Sequence, residues 1–320
     1  MSNKIYYTST GLERAPNQRL DENWIMHMLH HRQTRIVPVW RNANLIMGTD
    51  TPGAIHLTGA HARGLLQIAG EISLLGLSCE GEGGEDETEQ GTAYFAIDLS
   101  EHELPTLTPA MGQANFVDLR EVGPLLEHRE AALLAFARGN MYWHRHNRYC
   151  CECGNITRSE EAGRLRRCVN PACEREYFPR TDPAVIMLIT RPGPEGGACL
   201  LARQSKWPDG MYSTLAGFVD QSESLEEAVA REVMEEAGIL VKPEDVEYRG
   251  SQPWPFPSSL MMGFRAKASS LDIDCSADEL EDARWFTKTQ IAAFPEKGLR
   301  LPRRDSIAWQ LVSDWLEEDS

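Results

Sequence analysis

The sequence predicts an α/β protein in three parts: an α+β accessory domain over residues 1–145, a four-cysteine ribbon over 146–180, and a compact α/β domain over 181–320. Three observations carry this reading. After Pro183, apolar β-branched runs recur around a single well-capped helix. Five of the eight cysteines crowd into the 24 residues from Cys150 to Cys173. The first 145 residues alternate like strands yet hold no motif that carries chemistry.

The chain has 320 residues, 42% hydrophobic and 25% charged, which is ordinary globular composition and enough for two or three domains. No apolar run approaches a membrane span and Met1 to Leu20 lacks a signal-peptide core, so the expected location is the cytoplasm. With 32 basic and 48 acidic residues the net charge is −16, which speaks against holding nucleic acid by general phosphate attraction and predicts no basic surface. An RNA would have to be recognised through its end.

In chain order, Arg35 to Trp40 and Tyr94 to Leu99 read as strands, and the acidic, glycine-rich stretch Glu80 to Glu89 as a solvated loop. Pro124 to His144 has a helical period. Its His144 and a following His146 suit core or surface roles better than metal ligation. Cys150-x2-Cys153, fourteen residues that begin with Gly154, then Cys168-x4-Cys173 is the paired-knuckle spacing of four thiolates around Zn²⁺. Four protein ligands leave no open position, so this zinc is expected to be structural, with Cys79, Cys151, Cys199 and Cys275 as bystanders. A competing reading makes the ribbon a nucleic-acid knuckle, with Arg164, Arg166 and Arg167 on phosphate; three arginines on so acidic a chain make it the weaker one.

Ala184 to Thr190, Cys199 to Ala202, Leu215 to Val219, Leu260 to Ala268 and Arg284 to Phe286 supply the strands of the last domain, and Ser306 can cap a final helix over Ile307 to Leu316. No internal repeat is visible. Ser224 with Glu227 forms a capping box and Gly238 a left-handed stop, so a helix is expected over Leu225 to Ala237. Leu225, Ala228, Val229, Val233 and Ala237 make its apolar sector. Glu232 and Glu236 fall inside that sector and Glu235 at its edge. Half-buried, mutually repelling carboxylates call for a hard cation with oxygen ligands, Mg²⁺ or Mn²⁺.

Gly217, Glu223, Arg231, Glu232, Val233, Glu235, Glu236, Gly238 and Ile239 together match the Nudix box, G-x5-E-x7-R-E-U-x-E-E-x-G-U with U apolar. The domain resembles that family, which implies a mixed-sheet α/β/α sandwich and a loop-helix-loop that holds divalent metal against a diphosphate while water attacks phosphorus. Glu223 and Arg231 are expected to brace loop and helix as an ion pair.

Downstream lies Ser251-Gln252-Pro253-Trp254-Pro255-Phe256-Pro257-Ser258-Ser259, where proline at every second position forbids a helix or an interior strand and predicts a stiff, extended aromatic platform. Such faces suit stacking on a planar base or nicotinamide; the competing reading is a loop that merely covers the core. This SQPWPFPxS segment, the preceding ribbon and the bridge Pro179 to Val185 resemble the NADH pyrophosphatases of the Nudix family over most of the chain. The Cys168 to Cys173 gap of four is wider than the commonest two.

The resemblance implies hydrolysis of NADH to reduced nicotinamide mononucleotide and AMP, removal of the NAD cap from RNA 5′ ends, and a homodimer. It implies metal ligands and catalytic carboxylates at Glu232, Glu236 and Glu279, a ligand or base at Glu235, and a carbonyl ligand at Ala216. It places the nucleotide against Gln252, Pro253, Trp254, Pro255, Phe256, Pro257, Ser258 and Ser259, with Phe178, where relatives carry tyrosine, and Ala308. Two alternatives stand beside it: a Nudix enzyme for another diphosphate such as ADP-ribose, and a non-catalytic nicotinamide-nucleotide sensor. A sensor's box should have lost a glutamate, and this one retains them all.

Overall fold

The computed structural model describes residues 5–48, 50–78, 91–104, 113–275 and 280–318. Two compact units result: Met1–Tyr6, Asp182–Trp254 and Ser259–Ser320 form the C-terminal unit, and Tyr7–Thr181 with Pro255–Ser258 form the N-terminal unit.

The N-terminal unit is built on one sheet. It contains β1 (Leu12–Glu13), α1 (Glu22–Leu29), β2 (Arg35–Trp40), β3 (Ala43–Met47), β4 (Gly53–Ala54), β5 (Leu57–Thr58), α2 (Gly59–Ile68), β6 (Glu71–Ser78), β7 (Thr92–Asp98), β8 (Asn115–Asp118), α3 (Leu119–Val122) and α4 (His128–His146). The strands lie in the order β1-β6-β7-β2-β3-β4, with β5 added to β2 and β8 to β3. Alternation along β6 and β7 drives Leu74, Phe95 and Ile97 into a core shared with Ile36 and Leu45. The expected helix from Pro124 starts later, because Gly123–Leu125 is a 3₁₀ turn and Glu127 is the cap, its carboxylate accepting from Arg129 N and Glu130 N. The acidic stretch 80–89 and Cys79 lie outside the described residues.

The ribbon, β9 (Thr157–Glu160), β10 (Leu165–Cys168) and β11 (Glu176–Tyr177), is a separate three-stranded sheet held within the same unit. The reason is a buried polar seam. Arg166, 9% exposed at its side chain, pairs with Glu71 at 2.5 Å and approaches His144 Nδ1 at 3.0 Å, while His144 Nε2 sits 3.0 Å from Gly163 O. Burial lowers the His144 pKa. Arg164 pairs with Glu161, and Arg167 with Glu160 and Glu176, so the three ribbon arginines are all engaged by carboxylates.

In the C-terminal unit β12 (Asp182–Arg191), β13 (Ala198–Arg203), β14 (Leu215–Phe218), β15 (Val241–Trp254), β16 (Ser259–Ala268) and β17 (Asp282–Thr287) form a sheet ordered β15-β16-β12-β13-β17, with β14 on β12. Helices cover both faces: α5 (Leu225–Ala237) on one, α7 (Ile307–Glu317) on the other, with the short α6 (Lys288–Ala292) beyond β17. The unbroken apolar run in β12 follows from this. Val185, Met187 and Ile189 pack with Val229 and Val233 of α5, and Ile186 and Leu188 with Leu311, Val312 and Trp315 of α7. Fully buried valines such as 229 and 233 contribute roughly 1.5–3 kcal/mol each.

The strand pairing repeats between the units, which no local sequence pattern disclosed. Antiparallel β6·β7, parallel β7·β2, antiparallel β2·β3 and β3·β8, with β5 antiparallel on β2, correspond one for one to β15·β16, β16·β12, β12·β13, β13·β17 and β14 on β12.

Candidate active site

Helix α5 begins and ends as its sequence dictates. The Ser224 hydroxyl accepts from Glu227 N, the Glu227 carboxylate accepts from Ser224 N, and Gly238, at φ 67°, closes the helix by donating to Met234 O at 3.0 Å. Glu236 is buried, 6% exposed, and the Glu232 side chain is 13% exposed, whereas Glu235 is 59% exposed. The apolar sector thus does swallow two carboxylates and leave the third in water.

What holds these charges together is Arg231. Its Nε and Nη2 grip Glu223 at 2.6 and 2.8 Å, its Nη1 reaches Glu232 at 2.9 Å and Glu235 at 3.0 Å, and Nη2 also donates to Phe218 O at 2.9 Å. This bidentate fork, with Asp220 N donating as well, holds the Glu223 carboxyl down to about 2, and the same carboxylates raise the Arg231 pKa. The brace expected between Glu223 and Arg231 is present.

β14 pairs with β12 through Ile186↔Ala216 and Val185↔Gly217, which lays the chain at Ala216–Gly217 against α5. The approach is so close that a Cβ on Gly217 would lie 1.8 Å from Cδ of Glu232. Only glycine lets this carboxylate reach the strand. Glu232, Glu236 and the Ala216 carbonyl are oxygen donors that fit a hard cation, though Glu232 and Glu235 turn to Arg231 rather than toward one another. Glu279 lies outside the described residues.

Beside Glu236 the C-terminal unit encloses a cavity of about 350 Å³. Ala216, Glu236, Gln252, Trp254, Ser306 and Ala308 line it. The expected site residues Ala216, Glu236, Gln252, Trp254 and Ala308 therefore meet in one place. Sequence reasoning missed Trp207 and Thr214, which also line it; the Trp207-Pro208-Asp209-Gly210 turn resembles the Trp254 setting and was the available signal.

The stiff segment departs from a fully extended platform. Ser251 to Trp254 close β15, an edge strand paired with Met262 to Ser259 of β16, which accommodates Pro253, and Pro255 to Ser258 form the hairpin turn. Gln252 is 1% exposed and its amide serves the protein: Nε2 donates to Asp305 O at 2.7 Å and Tyr6 O at 3.2 Å, and Oε1 accepts from Ile307 N at 2.8 Å. Phe256 belongs to the N-terminal unit, with Arg138 4.7 Å and Arg120 5.4 Å from its ring centre and Tyr7 edge-on at 5.8 Å. Arg138 also donates to Pro255 O at 2.7 Å. Phe178 follows β11 and is 47% exposed.

In the ribbon, Cys150, Cys153, Cys168 and Cys173 bring their sulfurs within 4.8 Å of one another, with Cys150 to Cys173 at 3.7 Å and Cys153 to Cys168 at 3.4 Å. A tetrahedron with Zn–S bonds of 2.3 Å has edges of about 3.8 Å, so the four thiols fit that ion. The Tyr177 hydroxyl, 3.0 Å from Cys150 Sγ, holds that thiol down to about 6, which favours the ligating thiolate. The wide second knuckle closes through Asn170, whose Oδ1 accepts from Ala172 N and whose carbonyl accepts from Cys173 N at 2.9 Å. Cys151 is exposed, and burial pushes the Cys199 thiol up to about 12.

Residues 180–310 match the NUDIX domain family, and residues 33–143 match the NADH pyrophosphatase-like rudimentary NUDIX domain. Human NAD-capped RNA hydrolase NUDT12 is 42% identical over 201 residues, 60% of this chain and 43% of that protein. NAD-capped RNA hydrolase NudC of Pseudomonas aeruginosa (strain LESB58) is 39% identical over 231 residues, 72% of this chain and 76% of that one. A NUDIX hydrolase structure from Nitrosomonas europaea aligns at TM-score 0.38 and 25% identity over 53% of this chain and 90% of that chain. The chain belongs to the Nudix hydrolase family, in the subfamily of NADH pyrophosphatases and NAD-capped RNA hydrolases. It spans less than half the length of the human relative. Members of the family use divalent metals.

Proposed function

We propose that this chain hydrolyses the diphosphate of NAD(H), giving nicotinamide mononucleotide, reduced when the substrate is NADH, and AMP, and removes the NAD cap from RNA 5′ ends. The observation that carries the reading is the meeting of a buried carboxylate, Glu236, with an indole, Trp254, in one cavity. The relatives named NAD-capped RNA hydrolase support the choice of substrate.

In this reading Glu232, Glu235, Glu236, Glu279 and the Ala216 carbonyl hold Mg²⁺ or Mn²⁺. The ion, when bound, neutralises the diphosphate and lowers the pKa of the attacking water. The protein's own part is to keep Glu232 against Gly217 and to hold the substrate's planar ring by Trp254, with Gln252 and Ala308 lining the same cavity. Water's oxygen ends on one phosphorus as one bridging P–O bond breaks, so both products are monophosphates. The four cysteines bind Zn²⁺ as a structural ion. The working form is a homodimer in the cytoplasm, in keeping with the resemblance and with reduced, metal-suited cysteines. Among the described residues no helix is long and apolar enough to cross a membrane.

Chromatographic analysis of products from NADH, ADP-ribose and NAD-capped RNA tests the proposal. NADH and capped RNA should both be cleaved at the diphosphate, and clear preference for ADP-ribose over both would replace it.

A further inference from the structure

The overall acidity of the chain conceals a local exception. From Lys297 to Arg304 four of eight residues are basic, Lys297, Arg300, Arg303 and Arg304, opposed only by the flanking Glu296 and Asp305. Arg303 is matched to Asp305 at 3.0 Å. Arg300 and Arg304 are exposed and enter no ion pair among the described residues; Arg304 only approaches the Trp309 ring, at 5.8 Å.

This segment runs beside residues 204–211. Arg300 N donates to Gly210 O at 2.8 Å, Tyr212 N donates to Arg300 O at 3.0 Å, and Met211 and Arg300 form a parallel bridge. The neighbouring segment adds exposed Lys206, with Asp209 as its one acid. Between them the two segments supply Gln204, Trp207, Met211 and Pro302 to the cavity that holds Glu236. The unpaired cations are thus sequence neighbours of residues on the cavity wall. An exposed cation that enters no ion pair among the described residues can neutralise a phosphate of an RNA strand, and the counterions condensed on that strand are then released, which favours binding.

We propose that this wall receives the sugar–phosphate backbone of RNA, with Arg300 and Arg304 contacting phosphodiesters beyond the reacting diphosphate. The proposal rests on the capped-RNA reading above and deepens it: the expectation of no basic surface, drawn from net charge, averaged away a cluster that flanks Pro302 of the cavity lining. Free NADH has no phosphate beyond its diphosphate and gains nothing from the wall.

The test measures kcat/KM across a salt series on NADH, on its 2′-phosphorylated form and on a short NAD-capped RNA, for wild type and Arg300→Gln/Arg304→Gln. At about 0.7 counterions per single-strand phosphate, loss of two contacts makes the wild-type RNA rate fall roughly sevenfold more than the variant's between about 50 and 200 mM salt. NADH turnover should be the same in both proteins, and Arg300→Lys/Arg304→Lys should restore the slope. An unchanged RNA slope, equal losses on NADH and RNA, or a defect confined to the 2′-phosphorylated dinucleotide would each overturn the proposal. Fluorescence anisotropy with the same RNA needs no turnover, so it reads the slope even if wild type fails to cleave NADH, a failure that would count against the capped-RNA reading alone.

Discussion

In the N-terminal unit a sheet ordered β6-β7-β2-β3-β8 carries β5 on β2 and then helix α2; in the C-terminal unit a sheet ordered β15-β16-β12-β13-β17 carries β14 on β12 and then helix α5. The pairings agree in every sense, parallel and antiparallel, yet the helices differ. α2, Gly59–Ile68, contains no acidic residue, its Thr58 makes no cap bond to the backbone, and it ends at an extended Ala69. α5 has a complete capping box, a left-handed glycine stop and Glu232, Glu235 and Glu236 clustered at its end. The same ladder therefore supports a bare helix or a charged one. The difference teaches that strand order alone does not set the character of the helix laid on it, and that the capped helix braced by Arg231 is what sets the C-terminal unit apart.

That comparison can be broken most forcefully at the carboxylates. Glu236→Gln should lower kcat on NADH by about 10²–10⁴-fold with circular dichroism unchanged, while Arg63→Ala and Gln67→Ala on the exposed face of α2 should stay within about twofold. A variant of α2 that costs as much as Glu236→Gln would mean that both helices act on substrate.

The next largest contrast is between the two aromatic residues of one short segment. Trp254→Ala should weaken NADH and capped RNA alike by up to roughly a hundredfold, the worth of a stacked base, and Phe256→Ala should act chiefly on the melting of the N-terminal unit, through the lost contacts to Arg138, Arg120 and Tyr7. Steady-state kinetics beside differential scanning fluorimetry separates the two. Comparable KM changes from both would make the aromatic platform a single binding surface.

Zinc sharpens the contrast in another way. Cys168→Ser, or removal of metal by a strong chelator, should lower the melting temperature by several degrees for each kcal/mol lost, and activity should fall only as the fold does. Elemental analysis showing no zinc in folded, active protein would remove the ribbon's metal from the account.

The smallest effect concerns the brace. The Glu223 carboxyl titrates near 2 in the folded protein, below its unfolded range, so the stability it lends is complete above that range and disappears as pH falls toward about 2. Glu223→Gln should melt earlier than wild type at neutral pH, and the gap should close on acidification. A gap that persists in acid would show that Glu223 acts by shape rather than by charge.

Much of the site was legible because helical spacing is local. Ser224, Glu227, Glu232, Glu236 and Gly238 sit on one helix, and its geometry follows from their separations alone; the observed helix, Leu225–Ala237, is the one expected. The four cysteines were legible for a similar reason, since knuckle spacing reflects a metal's reach. The repeat was not, because α2 keeps none of the residues that mark α5, and only pairing between distant strands discloses it. Nor was the role of the Gln252 amide, because its partners Asp305 and Ile307 lie more than fifty residues away with no period connecting them. Net charge, a sum over the chain, could not reveal Arg300 and Arg304.

Gln252 has a further consequence, for the order in which the molecule is made. Its amide joins residue 6 to residues 305 and 307, so one side chain closes a circuit across some three hundred residues of this chain. On the ribosome, Tyr6 emerges long before Gln252, and Gln252 before Asp305. The N-terminal unit takes only Pro255–Ser258 from beyond Thr181, whereas the C-terminal unit can seat the amide among Tyr6, Asp305 and Ile307 only after residue 307 has been made. A chain cut short before residue 305 would then leave the Gln252 amide without two of its three partners.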